Sequence, residues 1–217
     1  MSPDPTEGHG RTATRLVLIR HARRHDDSSP DDPRLIGRTD APLSEEGEEQ
    51  ARRLADRLAR ESVDAVYSSP LQRAMRTAAP IADASRLPVE TDPGLAEIDC
   101  GQADGLLASE ARRRFPSVWD ATFSARCADL RWPGGESYAE FRRRCLGSLS
   151  RIAEELAGRR VIAVTHAGVI SQVVGWMSGE GPERWDRHRP GEASLTEVVW
   201  DGAASRLVVF DDRRHLG

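Results

Sequence analysis

The stretch RLVLIRHA, residues 15–22, sets up the architecture of the chain. Its first part, residues 15–20, is a short apolar run without helical spacing, and the β-branched Val17 and Ile19 favour a buried strand. The run ends in Arg20 and His21, which together offer a clamp for an anion and a nucleophile. We therefore expect a core strand whose carboxyl end carries functional side chains.

Strands and helices alternate along the rest of the chain. The apolar patterns predict strands at 63–68, 88–91 and 161–165, and helices at 44–60, 71–86, 136–157 and from 166 to about 178. Two alternating stretches, 195–200 and 205–210, flank the turn DGAAS and predict a hairpin. The alternation predicts an α/β fold, a three-layer α/β/α arrangement with a mostly parallel central sheet.

Two interruptions of this pattern carry expectations of their own. Pro80 lies inside the helical stretch 71–86 and is expected to end or kink that helix. Residues 94–135 are irregular apart from one predicted helix at 106–115, so a small lid segment is expected at about 100–135. The first fourteen residues, MSPDPTEGHGRTAT, predict a disordered polar tail, which leaves residues 15–217 as a single domain.

The composition argues against several classes of protein. The chain has 217 residues, 38% hydrophobic and 30% charged, which is typical of a globular protein, and its net charge of −4 argues against a nucleic-acid partner. Its apolar runs fall short of the roughly 20 residues that span a membrane, and residues 1–14 lack the apolar stretch of a secretion signal, so a cytoplasmic protein is expected. The three cysteines, Cys100, Cys127 and Cys145, match neither a disulfide framework nor a zinc site. All 31 basic residues are arginines.

The carboxyl ends of parallel strands meet at one edge of a sheet, where α/β proteins bind their ligands. Arg20 and His21 follow the first strand, Ser69 follows the second, and His166 follows the strand at 161–165. Arg73 begins the helix after Ser69. Each of these residues alone also fits an ordinary role, as a surface pair, a hydrogen-bonded core histidine or a solvated helical arginine.

The segments around these residues, taken together, resemble the histidine phosphatase superfamily, also called the phosphoglycerate mutase-like fold. Six blocks stand in the order of that family between residue 15 and about 175: LVLIRHA, RLIGRTDAPLSEEGEEQA, SSPLQRAMRTA, LAEIDCGQADG, PGGES and VTHAGVI. The resemblance implies the same fold and phosphoryl-transfer chemistry that needs neither metal nor cofactor. It also implies a small phosphate ester as partner.

The resemblance assigns a role to each matching position. His21 matches the nucleophile that becomes phosphohistidine, and Glu97 matches the residue that protonates the leaving alcohol. Arg20, Arg73 and His166 match the pocket that neutralises the phosphoryl oxygens. Ala167 stands at a helix start, where backbone N–H groups favour an anion, and is expected to add to phosphate binding.

Some positions depart from the pattern of the family. Ala22 stands in place of its glycine, and Ala103 in place of an aromatic residue, which could reshape the mouth of the site. A further four residues are expected to contact the substrate: Arg24, Asp27, Arg34 and Gly37. The cluster 23–25 could read a second anionic group or belong to a flexible polar loop, and a carboxylate at Asp27 would repel a phosphate unless it is paired.

The lid length separates a phosphatase from a mutase. Only 28 positions separate Gly105 from Pro133, and the long insertion of the phosphoglycerate mutases is missing there. We therefore expect a phosphomonoesterase of the histidine acid phosphatase type, with a mutase or a non-catalytic phosphoester-binding protein as the alternatives. The lid side chains expected to reach the substrate are Leu106, Leu107, Phe115, Trp119, Phe123, Arg126 and Arg131. The natural substrate and the oligomeric state stay open, although the C-terminal hairpin offers an edge for pairing.

Overall fold

The apolar run after residue 13 forms a strand in the middle of the sheet. The structure is a computed structural model that describes residues 13–26, 28–123 and 126–217, without the side chains of Phe123 and Ala203. The strands are β1 (Thr14–Arg20), β2 (Ala65–Ser68), β3 (Val89–Thr91), β4 (Arg160–Thr165), β5 (Leu195–Trp200) and β6 (Arg206–Asp212). Within the described residues they form a six-stranded sheet in the order β3-β2-β4-β1-β5-β6.

Strands β3, β2, β4 and β1 run parallel to one another. Strand β5 pairs antiparallel with β1, and β6 pairs antiparallel with β5, as the predicted hairpin requires. The sheet is therefore mostly parallel, as predicted. The carboxyl ends of β1, β2 and β4, with the residues that follow them, lie at the same edge of the sheet.

The helices are α1 (Glu45–Leu58), α2 (Gln72–Ser85), α3 (Ala108–Arg114), α4 (Pro116–Phe123), α5 (Tyr138–Glu155) and α6 (Ala167–Met177). Local sequence sets where the longer ones begin. The Ser44 side chain accepts a hydrogen bond from the Gly47 amide at the start of α1, and Ser137 and Glu140 form a reciprocal capping box at the start of α5.

The alternating side chains of β1 separate two apolar cores. Val17 and Ile19 face α1 and α2, whereas Leu16 and Leu18 face α5 and α6. All four side chains are at most 1% exposed. Helices on both faces of the sheet make the three layers that the pattern predicted.

Three local predictions need correction. Helix α2 continues through Pro80 to Ser85, because its inner side chains, such as Ile81, are fully buried and this packing outweighs the hydrogen bond lost at proline. The helix predicted at 106–115 forms as α3, and the segment also holds a second helix, α4, that was not predicted; the two are separate because the residue before Pro116 is disfavoured in helical conformation and Phe115 leaves it. Strand β1 includes Thr14, which was assigned to the tail; residues 1–12 lie outside the described residues.

The segment after residue 100 packs a small apolar cluster of its own. Cys100, Ala103, Ala111 and Trp132 are buried there, with Phe115 packed against them. Cys100 and Cys145 are buried thiols, whereas Cys127 is exposed, and none of the three forms a disulfide in the described part of the chain. Across residues 13–26, 28–123 and 126–217, each helix is too short or too polar to cross a bilayer.

Candidate active site

The imidazole of His21 lies just past the end of β1 and is 6% exposed. Its Nδ1 is 2.8 Å from the carbonyl oxygen of Ala22. A carbonyl oxygen only accepts hydrogen bonds, so Nδ1 carries the proton and Nε2 keeps its lone pair. Burial, together with the guanidinium groups of Arg73 and Arg20, lowers the pKa of His21 well below 6.5, so the ring is neutral at neutral pH.

Arg73 is the more deeply buried of the two predicted arginines, with 1% of its surface exposed. Its Nη2 donates to the Gly37 carbonyl at 2.7 Å and its Nη1 to the Thr39 carbonyl at 2.9 Å. The Asp40 carboxylate lies 3.7 Å from Nη1. These contacts fix the guanidinium plane and leave N–H groups for a ligand, because a guanidinium has five.

Arg20 is held from the other side of the site. Its Nη1 donates to the carbonyl of Pro190 at 2.9 Å, and its Nη2 lies 3.7 Å from the Glu192 carboxylate. Burial lowers the pKa of Arg20, but an arginine stays charged even so. The charges of both arginines lower the pKa of His21 and His166, so the two guanidinium groups lie near both imidazoles.

His166 caps the start of α6 and is fully buried. Its ring centroid lies 5.1 Å from that of His21, and its Nε2 is 2.7 Å from the Ser69 hydroxyl. Burial first, and then the neighbouring His21, lowers its pKa well below 6.5. The net positive charge of the site therefore comes from the arginines and not from the imidazoles.

Three polar nitrogens of this group are buried without a hydrogen-bond partner among the described residues. They are Nε of Arg20, Nε of Arg73 and Nδ1 of His166. Unpaired buried donors are costly and rare in folded proteins. The two guanidinium N–H groups have no acceptor in the part of the chain that the structure describes and lie near two neutral imidazoles. This arrangement can bind an anion without first being rearranged.

Glu97 brings the carboxylate to the same site. Its Oε2 accepts from the Gly168 amide at 3.0 Å and its Oε1 from the Ile98 amide at 2.9 Å. The Gly168 amide belongs to the first turn of α6. The Glu97 carboxylate therefore occupies part of the helix start at which the sequence predicts phosphate to bind. Ala167 is buried beside it, and phosphate binding by its amide stays a prediction.

The residues predicted to contact substrate differ in their surroundings. Arg34 is partly buried and donates to the Gly105 carbonyl at 3.0 Å, whereas Arg24 pairs with Asp26 at 2.5 Å. Both backbone polar groups of Gly37 are hydrogen-bonded within the protein, because its amide donates to Asp104 and its carbonyl accepts from Arg73. Asp27 lies outside the described residues.

The other members of the cluster at 23–25 face outwards. Arg23 pairs with Glu46 at 2.8 Å, and His25 is exposed. Arg24 is closer to the site than they are, since its charge also acts on His21. The two alanine departures are both fully buried: Ala22 donates its amide to Thr77, and Ala103 packs inside the lid cluster rather than at the mouth of the site.

Arg144 is a residue of the site that the sequence did not single out. It donates to the carbonyls of Gly94, Ala96 and Glu97 at 3.0, 2.9 and 3.2 Å, and it pairs with Glu136 at 2.9 Å. One side chain thereby fixes the loop that presents Glu97. The only sequence signal for this role was Glu136 in the PGGES block.

A cavity of about 380 Å³ adjoins Glu97 and Gly168. Of the lid side chains expected to reach the substrate, Trp119 lines this cavity. Arg126 and Arg131 instead pair with Asp186 and Glu140, at 2.8 and 3.2 Å. The sequence missed most of the wall, because its remaining aromatic residues, although Trp132 and Tyr138 flank the PGGES block, belong to none of the quoted motifs.

The close contact of Gly168 with Glu97 leads to a first prediction. A Cβ at Gly168 would lie 2.1 Å from Oε1 of Glu97, so Gly168→Ala must push the carboxylate aside. For the acid role that the resemblance assigns to Glu97, we expect kcat for an alkyl phosphate to fall by about 10²-fold, the range in which a positioned acid contributes. The loss should be smaller for p-nitrophenyl phosphate, whose leaving group needs little protonation.

Gly147→Ala is the matched control for that variant. Gly147 also lies in a helix, α5, and among the described residues a Cβ there meets nothing within 4 Å beyond its chain neighbours and the adjacent backbone of its own helix. This control should keep full activity and gain slightly in melting temperature. Equal losses on both substrates in Gly168→Ala would contradict the acid role that the resemblance assigns to Glu97.

The fold and the site together define an α/β protein that gathers two arginines, two neutral histidines and a carboxylate at the carboxyl edge of its sheet. Residues 16–213 match the family model of the histidine phosphatase superfamily (branch 1), and the chain belongs to this superfamily. Within the described residues there is no group of three or more His, Cys, Asp or Glu side chains that could hold a metal ion.

Individual relatives and solved structures agree with this assignment. Phosphoglycerate mutase-like protein 4 of Arabidopsis thaliana is 34% identical over 93% of this chain and 86% of that protein. The metal-independent phosphoserine phosphatase of Arabidopsis thaliana is 37% identical over 74% of this chain and 67% of that protein. The structure of YhfR from Bacillus stearothermophilus is similar with a TM-score of 0.83 at 28% identity, over 94% of this chain and all of that one. The structure of the mycobacterial glucosyl-3-phosphoglycerate phosphatase is similar with a TM-score of 0.76 at 27% identity, over 92% of this chain and 99% of that one.

Proposed function

We propose that the protein is a metal-independent phosphomonoester hydrolase that works through a phosphohistidine at His21. The observation that carries this proposal is the imidazole of His21, which is fixed by the Ala22 carbonyl and kept neutral by burial and by the nearby charges of Arg73 and Arg20. Family membership and the relatives named as phosphatases support the phosphatase class.

The first half of the reaction forms the phosphoenzyme. The lone pair on Nε2 of His21 attacks phosphorus, and the bond from phosphorus to the ester oxygen breaks. Protonated Glu97 gives its proton to the departing oxygen, so the product leaves as a neutral alcohol. Arg20 and Arg73 stabilise the charge on the remaining phosphoryl oxygens through the transition state.

The second half returns the enzyme to its starting state. Glu97, now a carboxylate, takes a proton from water as the water oxygen bonds to phosphorus. The bond between phosphorus and Nε2 breaks, its electrons return to the neutral imidazole, and inorganic phosphate leaves. Protonated Glu97 is the acid of the first half and its carboxylate is the base of the second, so the cycle returns both Glu97 and His21 to their starting states without another acid or base.

The test is release of inorganic phosphate from p-nitrophenyl phosphate in EDTA. An alkaline quench during turnover should trap one phosphoryl group on the peptide that contains His21, since N-phosphorylated imidazole survives in base. With 3-phosphoglycerate, hydrolysis should outpace isomerisation. Isomerisation that outpaces hydrolysis would indicate a mutase, and binding of phosphate esters without turnover would indicate a non-catalytic protein.

The pH dependence follows from the lowered pKa of His21. Protonation would remove the attacking lone pair, and a pKa well below 6.5 delays this protonation as the pH falls. The acid limb of kcat/KM, corrected for ionisation of the substrate, should therefore lie below pH 6.5. Activity that persists into mildly acidic solution is also what an enzyme of the acid phosphatase type requires. An acid limb at or above pH 6.5 would show that the buried charges leave the nucleophile unperturbed.

A further inference from the structure

The cavity beside Glu97 lies where the leaving group of a phosphate ester must be. Glu97 is the proposed acid for the ester oxygen, and Glu97 and Gly168 both line the cavity. The cavity is therefore the space next to the proposed acid that can receive the group attached to that oxygen. Its volume, about 380 Å³, falls in the usual range of small-molecule pockets, roughly 300–1,000 Å³.

The cavity wall is aromatic and comes from separate parts of the chain. The lid contributes Trp119 and Trp132, helix α5 contributes Tyr138 and Phe141, and the segment after α6 contributes Trp185. Tyr138 and Trp185 stack with ring centroids 6.2 Å apart and an angle of 12°. Trp132, Tyr138 and Phe141 are at most 8% exposed. Rings held this firmly form a ready-made apolar surface.

The charged side chains of the wall are committed to other contacts. Glu97 belongs to the catalytic group, and the Arg34 guanidinium donates to the Gly105 carbonyl. Arg189 is exposed and lies over the ring of Trp185, 5.3 Å from its centroid. A small leaving group that carries its own charges would have to give up water against mostly apolar walls.

We propose that the enzyme takes phosphate monoesters whose alcohol carries an aromatic or similarly bulky apolar group, and that the cavity lined by Trp119, Tyr138 and Trp185 binds this group. The inference rests on the proposed function, since it assigns the substrate class of the same site. Burial of a phenyl ring against these walls favours an arylalkyl ester over a short alkyl ester by about 30-fold or more in kcat/KM.

The experiment compares 2-phenylethyl phosphate, propyl phosphate and O-phosphoserine on the wild-type chain in EDTA. The two alcohols have similar acidity, because the ring stands two carbons from the oxygen, so their ratio of kcat/KM reports binding of the ring. We expect the phenylethyl ester to exceed both others by about 30-fold or more. A ratio near one, or a preference for phosphoserine, would overturn the proposal.

Variants assign the preference to the cavity. Trp119→Ala and Trp185→Ala should each reduce the ratio of phenylethyl to propyl ester about tenfold. Unfolded protein lowers both rates equally and leaves this ratio unchanged, so partial misfolding cannot imitate the result. Phe210→Ala removes an exposed aromatic side chain on β6 and should keep the wild-type ratio. A ratio that both cavity variants preserve would refute the assignment.

Binding of phosphonates separates this inference from the proposed function. 2-Phenylethylphosphonate and propylphosphonate cannot be hydrolysed, and calorimetry gives their Kd on the wild-type chain. Tighter binding of the phenylethyl compound without turnover of any ester would contradict the proposed hydrolysis and support the cavity assignment. Equal Kd values together with normal ester turnover would contradict only the cavity assignment.

Discussion

Replacing His21 by alanine is expected to lower kcat by about 10⁴- to 10⁶-fold, as removal of a catalytic nucleophile does elsewhere. The variant lacks the Nε2 lone pair of the proposed nucleophile, whose tautomer the Ala22 carbonyl fixes. It should form no phosphoenzyme under alkaline quench. It should still bind phosphate or vanadate, because Arg20 and Arg73 keep their anchors on Pro190, Gly37 and Thr39.

His188→Ala is the matched control for the nucleophile variant. His188 contacts Glu180 at 3.1 Å and is partly buried. Loss of that near-surface pair should cost at most about 1 kcal/mol in stability and leave turnover within about twofold. A phosphoenzyme that still forms in His21→Ala would move the nucleophile to another residue, and its peptide would identify which one.

The second large effect is expected at Arg73. Arg73→Lys should lower kcat/KM by about 10²- to 10³-fold, which corresponds to about 3–4 kcal/mol of transition-state stabilisation. A lysine keeps the charge, but its single nitrogen cannot hold the Gly37 and Thr39 carbonyls and also present a planar pair of donors to phosphate. The melting temperature should be measured as well, because Arg73 is buried and its loss leaves two carbonyls short of a donor.

Arg76 provides the comparison one turn further along α2. It is exposed and pairs with Glu48 at 2.9 Å. Arg76→Lys should leave kcat/KM within about twofold, because an exposed pair contributes little. If Arg73→Lys folds normally and loses less than about threefold, the buried guanidinium would not be part of the phosphoryl pocket.

The secondary structure followed from the sequence wherever a local pattern specified it. The core strand at 15–20 and the helix start at Ser44 appear within one residue of their predicted positions. The two prolines next to helices behave differently. Pro80 was expected to end or kink its helix, but it lies on a helix that buries a full apolar face and continues past it, whereas Pro116 separates α3 from α4 in a lid with little core to oppose the break.

The site was predictable to the extent that strand ends meet at one edge of a parallel sheet. His21, Ser69 and His166 each follow a core strand, so the topology alone brings them together. Glu97 follows no such strand, and its position came from the resemblance to a family. The structure adds its anchor, the Gly168 amide, which no periodic pattern encodes.

The sequence by itself determined the order of strands and helices and the residues at the strand ends, because these depend on periods of two or 3.6 residues and on caps within a few positions. The tertiary structure alone decided which carbonyls hold Arg73, which amide holds Glu97 and which rings enclose the neighbouring cavity. These contacts join residues 34 to 71 positions apart for the arginine and the carboxylate. Contacts at such separation depend on how helices pack and loops close over the sheet, and no local preference specifies them.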